Sequence, residues 1–532
     1  MTQSTYSLAA HTLIEPLILS WPAWWMTVAP VPASLHALNS QVRTMRAYLQ
    51  SPEVHEQLSK DPSISGNSFM NVPAARQEEV RSLLARTEAE LADCLHLAEA
   101  LEAFQGELLA EAKGQSLEPL YARLPAPLKG LVELVYDYAN RPFVRIVEGA
   151  AYRSSCYKPG LQSLRFSRLA ADDARPYYVS TPRLLEPGQV DWPVELRDPR
   201  VDQLFSLDTA PRPLSEIRAI LGPAMEEEGF VSAFLTDAVR ATVQPWAGPG
   251  IRIQYVGHAT ALVEYRGLTI LTDPFIPVHP TAGGAARLSF ADLPATIDYA
   301  LITHAHADHF SLESLLRLRP RIRHLVVPKS CGILAGDVSL KMLAQTLGFK
   351  SVIDLDTFES IALPDGEIIA APFLGEHGDI AHSKTAYALR LGRETVLFAA
   401  DSTCIDEAVY EGLRRSVGRV GTVFMNTEPE GSPLTFGLDA LFPKKRDRKL
   451  EKSRRCRGSN AREGVRLLEI VGAERVYNYA MGLEPWLTQI IGPAPPLDST
   501  RMQESDILLS EARARGIVAE RLSGPKVILL EY

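Results

Sequence analysis

The run Thr303-His304-Ala305-His306-Ala307-Asp308-His309, placed directly after the apolar residues 299–302, constrains this chain more than any other segment. Three imidazoles and a carboxylate within six residues have little structural use. Packed without a metal they would bury polar groups that need partners, and unpartnered polar groups are costly to bury. Alternation along an extended backbone puts His304, His306 and Asp308 on one side, where a strand runs out into a loop. His309 points elsewhere, so one loop can serve two adjacent metals.

The flanking pattern is that of an α/β chain with more strands than helices. IRIQYVGHATALVEYRGLTILTDPF reads as two or three strands with turns at Val256-Gly257-His258 and Arg266-Gly267. Strands follow at DYALITHA, HLVVP, SVIDLD, EIIAAPFLG, TAYALRLG and TVLFAAD, with helices near SLESLLRLR and SLKMLAQTLG. This order fits an αββα sandwich better than a Rossmann sheet. Gly248 and Gly250 form no dinucleotide fingerprint, because a third glycine and the strand–turn–helix context are missing.

Two later segments offer further ligands. Asp401 ends the apolar run TVLFAAD; its alternative role is a turn or cap. In Gly375-Glu376-His377-Gly378-Asp379 only one of Glu376 and His377 can point inward from an extended backbone. With Glu376, the first metal has two histidines and a carboxylate, the set of oxygen-activating non-haem iron. With His377, zinc hydrolysis gains ground. All 12 histidines lie at or before His382, so the last 150 residues supply none. The segment Tyr479 to Glu484, where a late ligand belongs, offers methionine and glutamate instead.

HxHxDH, preceded by a strand ending in Thr272-Asp273-Pro274, resembles the metallo-β-lactamase superfamily. The resemblance covers residues 250 to 490 and specifies fold rather than chemistry. It implies that Asp273 orients a metal-bound histidine and that Asp401 bridges two metals. Gly257-His258-Ala259-Thr260 resembles the hydrolase branches, which place a histidine late in the chain where this one has none.

The combination is also similar to a narrower group, the di-iron β-hydroxylases of non-ribosomal peptide pathways. That resemblance implies an α/β N-terminal domain ahead of the metallo-β-lactamase-fold domain, and a homodimer. It implies two iron ions held by His304, His306, Asp308, His309, Glu376 and Asp401, with Glu376 chosen over His377. It further implies O2 as co-substrate, an external electron donor and reductase, and an aromatic substrate resembling p-aminophenylalanine. The substrate is carried as a thioester on a peptidyl carrier domain. The alternative is a dinuclear zinc hydrolase acting on a phosphodiester, lactone or thioester.

Further expectations come from composition and pattern. The boundary is set at the proline- and glycine-rich residues 242–250, giving domains 1–245 and 246–532. A helical region is expected over 74–112, with Val80, Leu84, Leu91, Leu95, Ala98 and Leu101 on its buried stripe. LILSWPAWWMTV is expected to be one buried strand; its prolines argue against a membrane span. Five scattered cysteines suit reduced thiols in a cytoplasmic protein. The net charge of −9 argues against nucleic-acid binding. The run Lys444 to Arg457, nine basic residues against two acidic, is a candidate dock for an acidic carrier. Glu430, in the loop Asn426 to Gly431, is a candidate support for a metal ligand or contact for a substrate amine, and His258 and His382 are candidate edge residues.

Overall fold

The computed structural model describes residues 4–61, 69–238, 243–330, 337–377, 383–433, 438–441 and 455–531. Two seven-stranded sheets lie face to face. The first runs, in spatial order, Val352–Leu355, Ile322–Pro328, Ile297–Leu301, Leu268–Thr272, Thr260–Tyr265, Ile251–Gly257 and Lys526–Leu530. The second runs Ser360–Leu363, Gly366–Ala371, Ala386–Leu391, Glu394–Phe398, Thr422–Met425, Arg475–Asn478 and Val518–Arg521.

Period-two alternation builds the core between them. Ile251, Ile253 and Tyr255 of the first sheet meet Leu389, Phe398 and Phe424 of the second. Phe398 and Phe424 stack with centroids 4.7 Å apart, and burying such a side chain contributes roughly 1.5–3 kcal/mol.

Helices cover the outer faces. Leu312–Leu318 and Leu340–Thr346 lie in the crossovers between parallel strands of the first sheet, started by Ser311 and Ser339, whose hydroxyls accept the Ser314 and Met342 amides. Glu407–Val417, Ala461–Val471 and Thr500–Ala514 pack on the second sheet. This is the expected αββα metallo-β-lactamase sandwich.

The N-terminal part is built on a four-stranded antiparallel sheet, in the order Trp21–Pro22, Thr12–Ile18, Gln162–Arg168 and Val190–Pro193. One core joins it to the sandwich, with Trp24, Phe166 and Phe205 beside Phe310, Leu315 and Leu343. Ion pairs cross the same seam: Arg317 grips Asp208 through Nε and Nη2 at 2.7 and 2.9 Å, and Arg319 Nε meets Asp202 at 2.6 Å.

Two expectations change here. LILSWPAWWMTV is not one strand: it turns at Leu19 and Ser20, both at positive φ, and continues as Trp21–Pro22 and the helix Trp25–Val28. Residues 74–112 form two helices, Gln77–Glu90 and Ala92–Glu111, broken at Leu91 with φ −106° and ψ 17°. Leu83, Cys94 and Leu97 join the buried stripe, while Leu84 and Leu95 are half-buried. Among the described residues, no helix is long and apolar enough to cross a membrane.

Candidate metal centre

The centre sits where the strands Leu268–Thr272, Ile297–Leu301 and Glu394–Phe398 run out into loops. Beyond Thr303 the chain does not stay extended. The His309 and Phe310 amides both donate to the His306 carbonyl, at 3.0 and 2.7 Å. That turn replaces simple alternation: His304 and His306 face one pole of the cluster, and Asp308 and His309 the other.

Fully buried Asp273 organises the loop. Its Oδ1 accepts the Thr303 amide and its Oδ2 the Thr303 hydroxyl, each at 2.7 Å. The same Oδ2 lies 2.8 Å from His309 Nδ1. With Nδ1 so engaged, His309 Nε2 turns to Asp401 Oδ2 at 3.1 Å. His304 Nε2 stands 3.5 Å from that oxygen and His377 Nε2 3.1 Å from it. Asn426 donates to the other oxygen of Asp401. On the far side, His258 Nε2 meets Asp308 Oδ2 at 3.0 Å.

Of the nine non-glycine residues at positive φ among the described residues, four lie around this cluster: His258 (51°), Asp273 (35°), Ala400 (47°) and Ala480 (53°). Such conformations cost about 1–3 kcal/mol each and persist where the surroundings over-determine them. The Ala480 amide, for example, donates to the His258 carbonyl at 3.0 Å.

Charge is arranged for a cation. Burial drives His304 well below the ordinary histidine range, and drives His306 to about 3 with help from His377. Burial also opposes charge on His309, but Asp401, Asp308 and Asp273 outweigh it and raise its pKa. Asp401 likewise raises His377. Asp308 and Asp401 stay below the carboxylate range despite burial, held by neighbouring imidazoles.

His304 Nε2 and His309 Nε2 are buried and, among the described residues, make no well-aligned hydrogen bond, Asp401 Oδ2 lying near both. Three sets of donor atoms, each within 4.8 Å of one another, converge: His304/His306/His377, His258/Asp308/His309 and His304/His309/Asp401. Imidazole nitrogens left over beside ionised carboxylates fit transition-metal ions.

Five expected ligands therefore converge: His304, His306, Asp308, His309 and Asp401. Glu376 does not join them. It is exposed, and His377 takes the inward direction, its Nδ1 bonding the Cys456 carbonyl at 3.0 Å and its Nε2 lying 2.9 Å from His306 Nδ1. Glu430 is also exposed and accepts from the Thr500 hydroxyl at 2.8 Å; its neighbour Glu428 lines the cleft instead. His382 and residues 444–454 of the basic run lie outside the described residues.

A cleft of about 110 Å³ opens onto the cluster. Trp24, Trp25 and Tyr178 of the N-terminal part and Arg501 of the C-terminal helix line it, and sequence reasoning named none of these four. No short-range spacing links them to the histidine run; the nearest signal for Trp24 and Trp25 was their uncharged, proline-interrupted segment.

This fold and this cluster define a metallo-β-lactamase-fold protein with a dinuclear metal centre. Residues 269–429 match the beta-lactamase superfamily domain, and residues 7–238 match the diiron non-heme beta-hydroxylase N-terminal domain. The chain is 33% identical over 524 residues, 97% of itself and 98% of the relative, to a Streptomyces venezuelae enzyme. That relative is the 3-hydroxylase of 4-amino-L-phenylalanyl CmlP peptidyl-carrier protein.

The crystal structure of CmlA, a diiron beta-hydroxylase from Streptomyces venezuelae, superposes with TM-score 0.91 at 32% identity, covering 99% of this chain and 100% of that one. A glutamate-to-aspartate variant of CmlA gives 0.89 at 31%, with the same coverage. This chain belongs to the family of non-haem di-iron β-hydroxylases. It is accordingly an enzyme of the di-iron monooxygenase class. A metal-dependent hydrolase of Flavobacterium johnsoniae, 42% identical over 59 residues, shares only 11% of this chain, so the hydrolase alternative is not favoured.

Proposed function

We propose that this enzyme hydroxylates the β-carbon of an aromatic amino acid resembling p-aminophenylalanine, carried as a thioester on a peptidyl carrier domain in antibiotic biosynthesis. One observation carries the reading: both parts of the chain, end to end, match a hydroxylase that acts on such a carrier-bound substrate. The reaction consumes O2, two electrons and two protons, and yields the alcohol and water. The electrons come from an external donor through a reductase. We further propose that the enzyme is a cytoplasmic homodimer, with domains 1–245 and 246–532.

In this reading His304, His306, Asp308, His309 and Asp401 would hold two iron ions. The adjacent pair Glu376–His377 supplies a further ligand. Iron chemistry favours the glutamate, since two histidines and a carboxylate suit oxygen activation; the inward imidazole favours His377. When bound, iron supplies the one-electron chemistry needed to insert oxygen into a C–H bond. The protein's share is to aim the ligands through Asp273 and Asn426. It also walls the cleft with Trp24, Trp25 and Tyr178.

The test is metal analysis followed by turnover. The purified protein should hold iron, and after reduction it should consume O2 and add one oxygen atom to aminoacyl-loaded carrier. A colourless protein with two zincs and no O2 uptake would sink the proposal.

A further inference from the structure

Hydroxylation at the β-carbon, as proposed, requires that carbon to reach the cluster, whose His306, Asp308 and Asp401 line the cleft. The α-carbon lies one bond away and carries an ammonium group. The aromatic ring lies one bond away in another direction. A cleft that selects such a group needs an anion close to the metal ligands and an aromatic face in the same cleft.

Both are present. Glu428 lines the cleft and stands near enough to His377 for its charge to act on that imidazole. Arg501 anchors its Oε1, while Arg501 Nη1 also reaches the Met481 carbonyl at 3.3 Å. One guanidinium contact does not exhaust a carboxylate, which offers about four acceptor positions. The Glu428 side chain is 15% exposed and that of Arg501 28%. A charge contact there is therefore partly shielded from water and stronger than on an open surface.

The aromatic face comes from the N-terminal part. Trp24 and Tyr178 meet edge to face with centroids 5.3 Å apart, and Trp24 packs the same way on Trp25 at 5.6 Å. Edge-to-face and offset contacts at 4.5–7 Å are the arrangements aromatic rings prefer, so this wall can take one more ring.

We propose that Glu428, braced by Arg501, binds the α-ammonium of the aminoacyl group, and that Trp24 and Tyr178 bind its ring. The inference rests on the proposed carrier-bound aminoacyl substrate and assigns its recognition to four residues from two parts of the chain. It also gives the N-terminal part a role in substrate selection.

The experiment changes the ligand and the protein in parallel. Three pantetheine thioesters are the probes: p-aminophenylalanyl, its counterpart lacking the α-amine, and leucyl. Binding to the iron-loaded protein is measured without O2, so that no turnover intervenes. In wild type, removing the amine should weaken binding about tenfold or more, as expected when a site built for a charged hydrogen bond loses its partner. Replacing the ring with the leucyl side chain should weaken it by a similar factor. In Glu428→Gln the amine should cease to matter while discrimination by the ring persists; in Trp24→Ala the reverse should hold.

Equal loss on amine removal in wild type and Glu428→Gln would overturn the assignment of Glu428, and an unchanged ring preference in Trp24→Ala would overturn that of the wall. The wild-type comparison needs no variant to fold, and equal affinity for all three thioesters overturns both. If the wild type hydroxylates loaded carrier yet shows no such pattern, this inference alone fails. If it neither binds the thioesters nor hydroxylates loaded carrier, the functional reading falls with it.

Discussion

Asp273 and His309 are joined by a 2.8 Å contact between carboxylate Oδ2 and imidazole Nδ1, and both side chains are wholly buried. A carboxylate in that position fixes the imidazole tautomer and ring angle, leaving Nε2 free for a metal. Asp273→Asn should therefore lower iron affinity roughly 10–100-fold, with the pole of the cluster that carries Asp308 and His309 affected first. Chelator competition and iron stoichiometry measure it. Unchanged affinity would reduce Asp273 to a loop brace for Thr303.

The neighbours Glu376 and His377 point in opposite directions, and only one can be a ligand. Iron chemistry predicts that Glu376→Ala loses about half of the bound iron, the share of one site in two, while His377→Ala keeps it. Iron analysis of the two purified variants decides the assignment. Loss in His377→Ala beside full iron in Glu376→Ala would make the observed inward imidazole the ligand.

How legible the centre was depends on the range of the forces that build it. His304, His306, Asp308 and His309 were readable because one short loop carries all four. Asp401 was readable because it ends an apolar strand, and Asp273 because the resemblance to the metallo-β-lactamase superfamily implies its role. The alternation argument failed between His306 and Phe310, where a turn takes over from extended backbone. The direction of His377 depends on the Cys456 carbonyl 79 residues away, beyond any local pattern. The same holds for Trp24 and Tyr178, which the joint core of the two parts carries to the cleft. The αββα order was visible in the strand runs. The turn at Leu19 and Ser20 was not, because neither residue announces a positive φ as glycine or asparagine would.

Arg317 and Asp208 tie the N-terminal part to the sandwich through a buried bidentate pair, with side chains 5% and 0% exposed. Removing one partner of such a pair leaves a buried charge uncompensated, at a cost of about 3–5 kcal/mol. Asp208→Ala should lose that much in urea unfolding. The double variant Asp208→Ala with Arg317→Met should recover part of it, since the Arg317 guanidinium is removed with its partner, while Arg321 Nη2, 3.5 Å from Asp208, still loses that carboxylate. A loss below about 1 kcal/mol, typical of an exposed pair, would show that this pair adds little to the seam.

Glu148 adds a pH-dependent contribution to stability whose sign follows from its raised pKa. Burial pushes its carboxyl up to about 7, Asp337 adds to the rise, and the Ser339 amide works against it. The folded protein thus keeps a proton that the unfolded chain releases near the ordinary value of 4.5. Stability from this group is complete below that value and is lost as pH rises through 7, because in that window the native state binds more protons. The shift corresponds to roughly 3 kcal/mol. Glu148→Gln keeps a neutral acceptor for the Ser339 amide and removes the titration. It should match wild type near pH 4.5 and exceed it by up to about that amount at pH 8. Urea midpoints of both proteins at the two pH values measure the difference. Parallel curves across the window would mean that Glu148 titrates as an ordinary surface carboxylate.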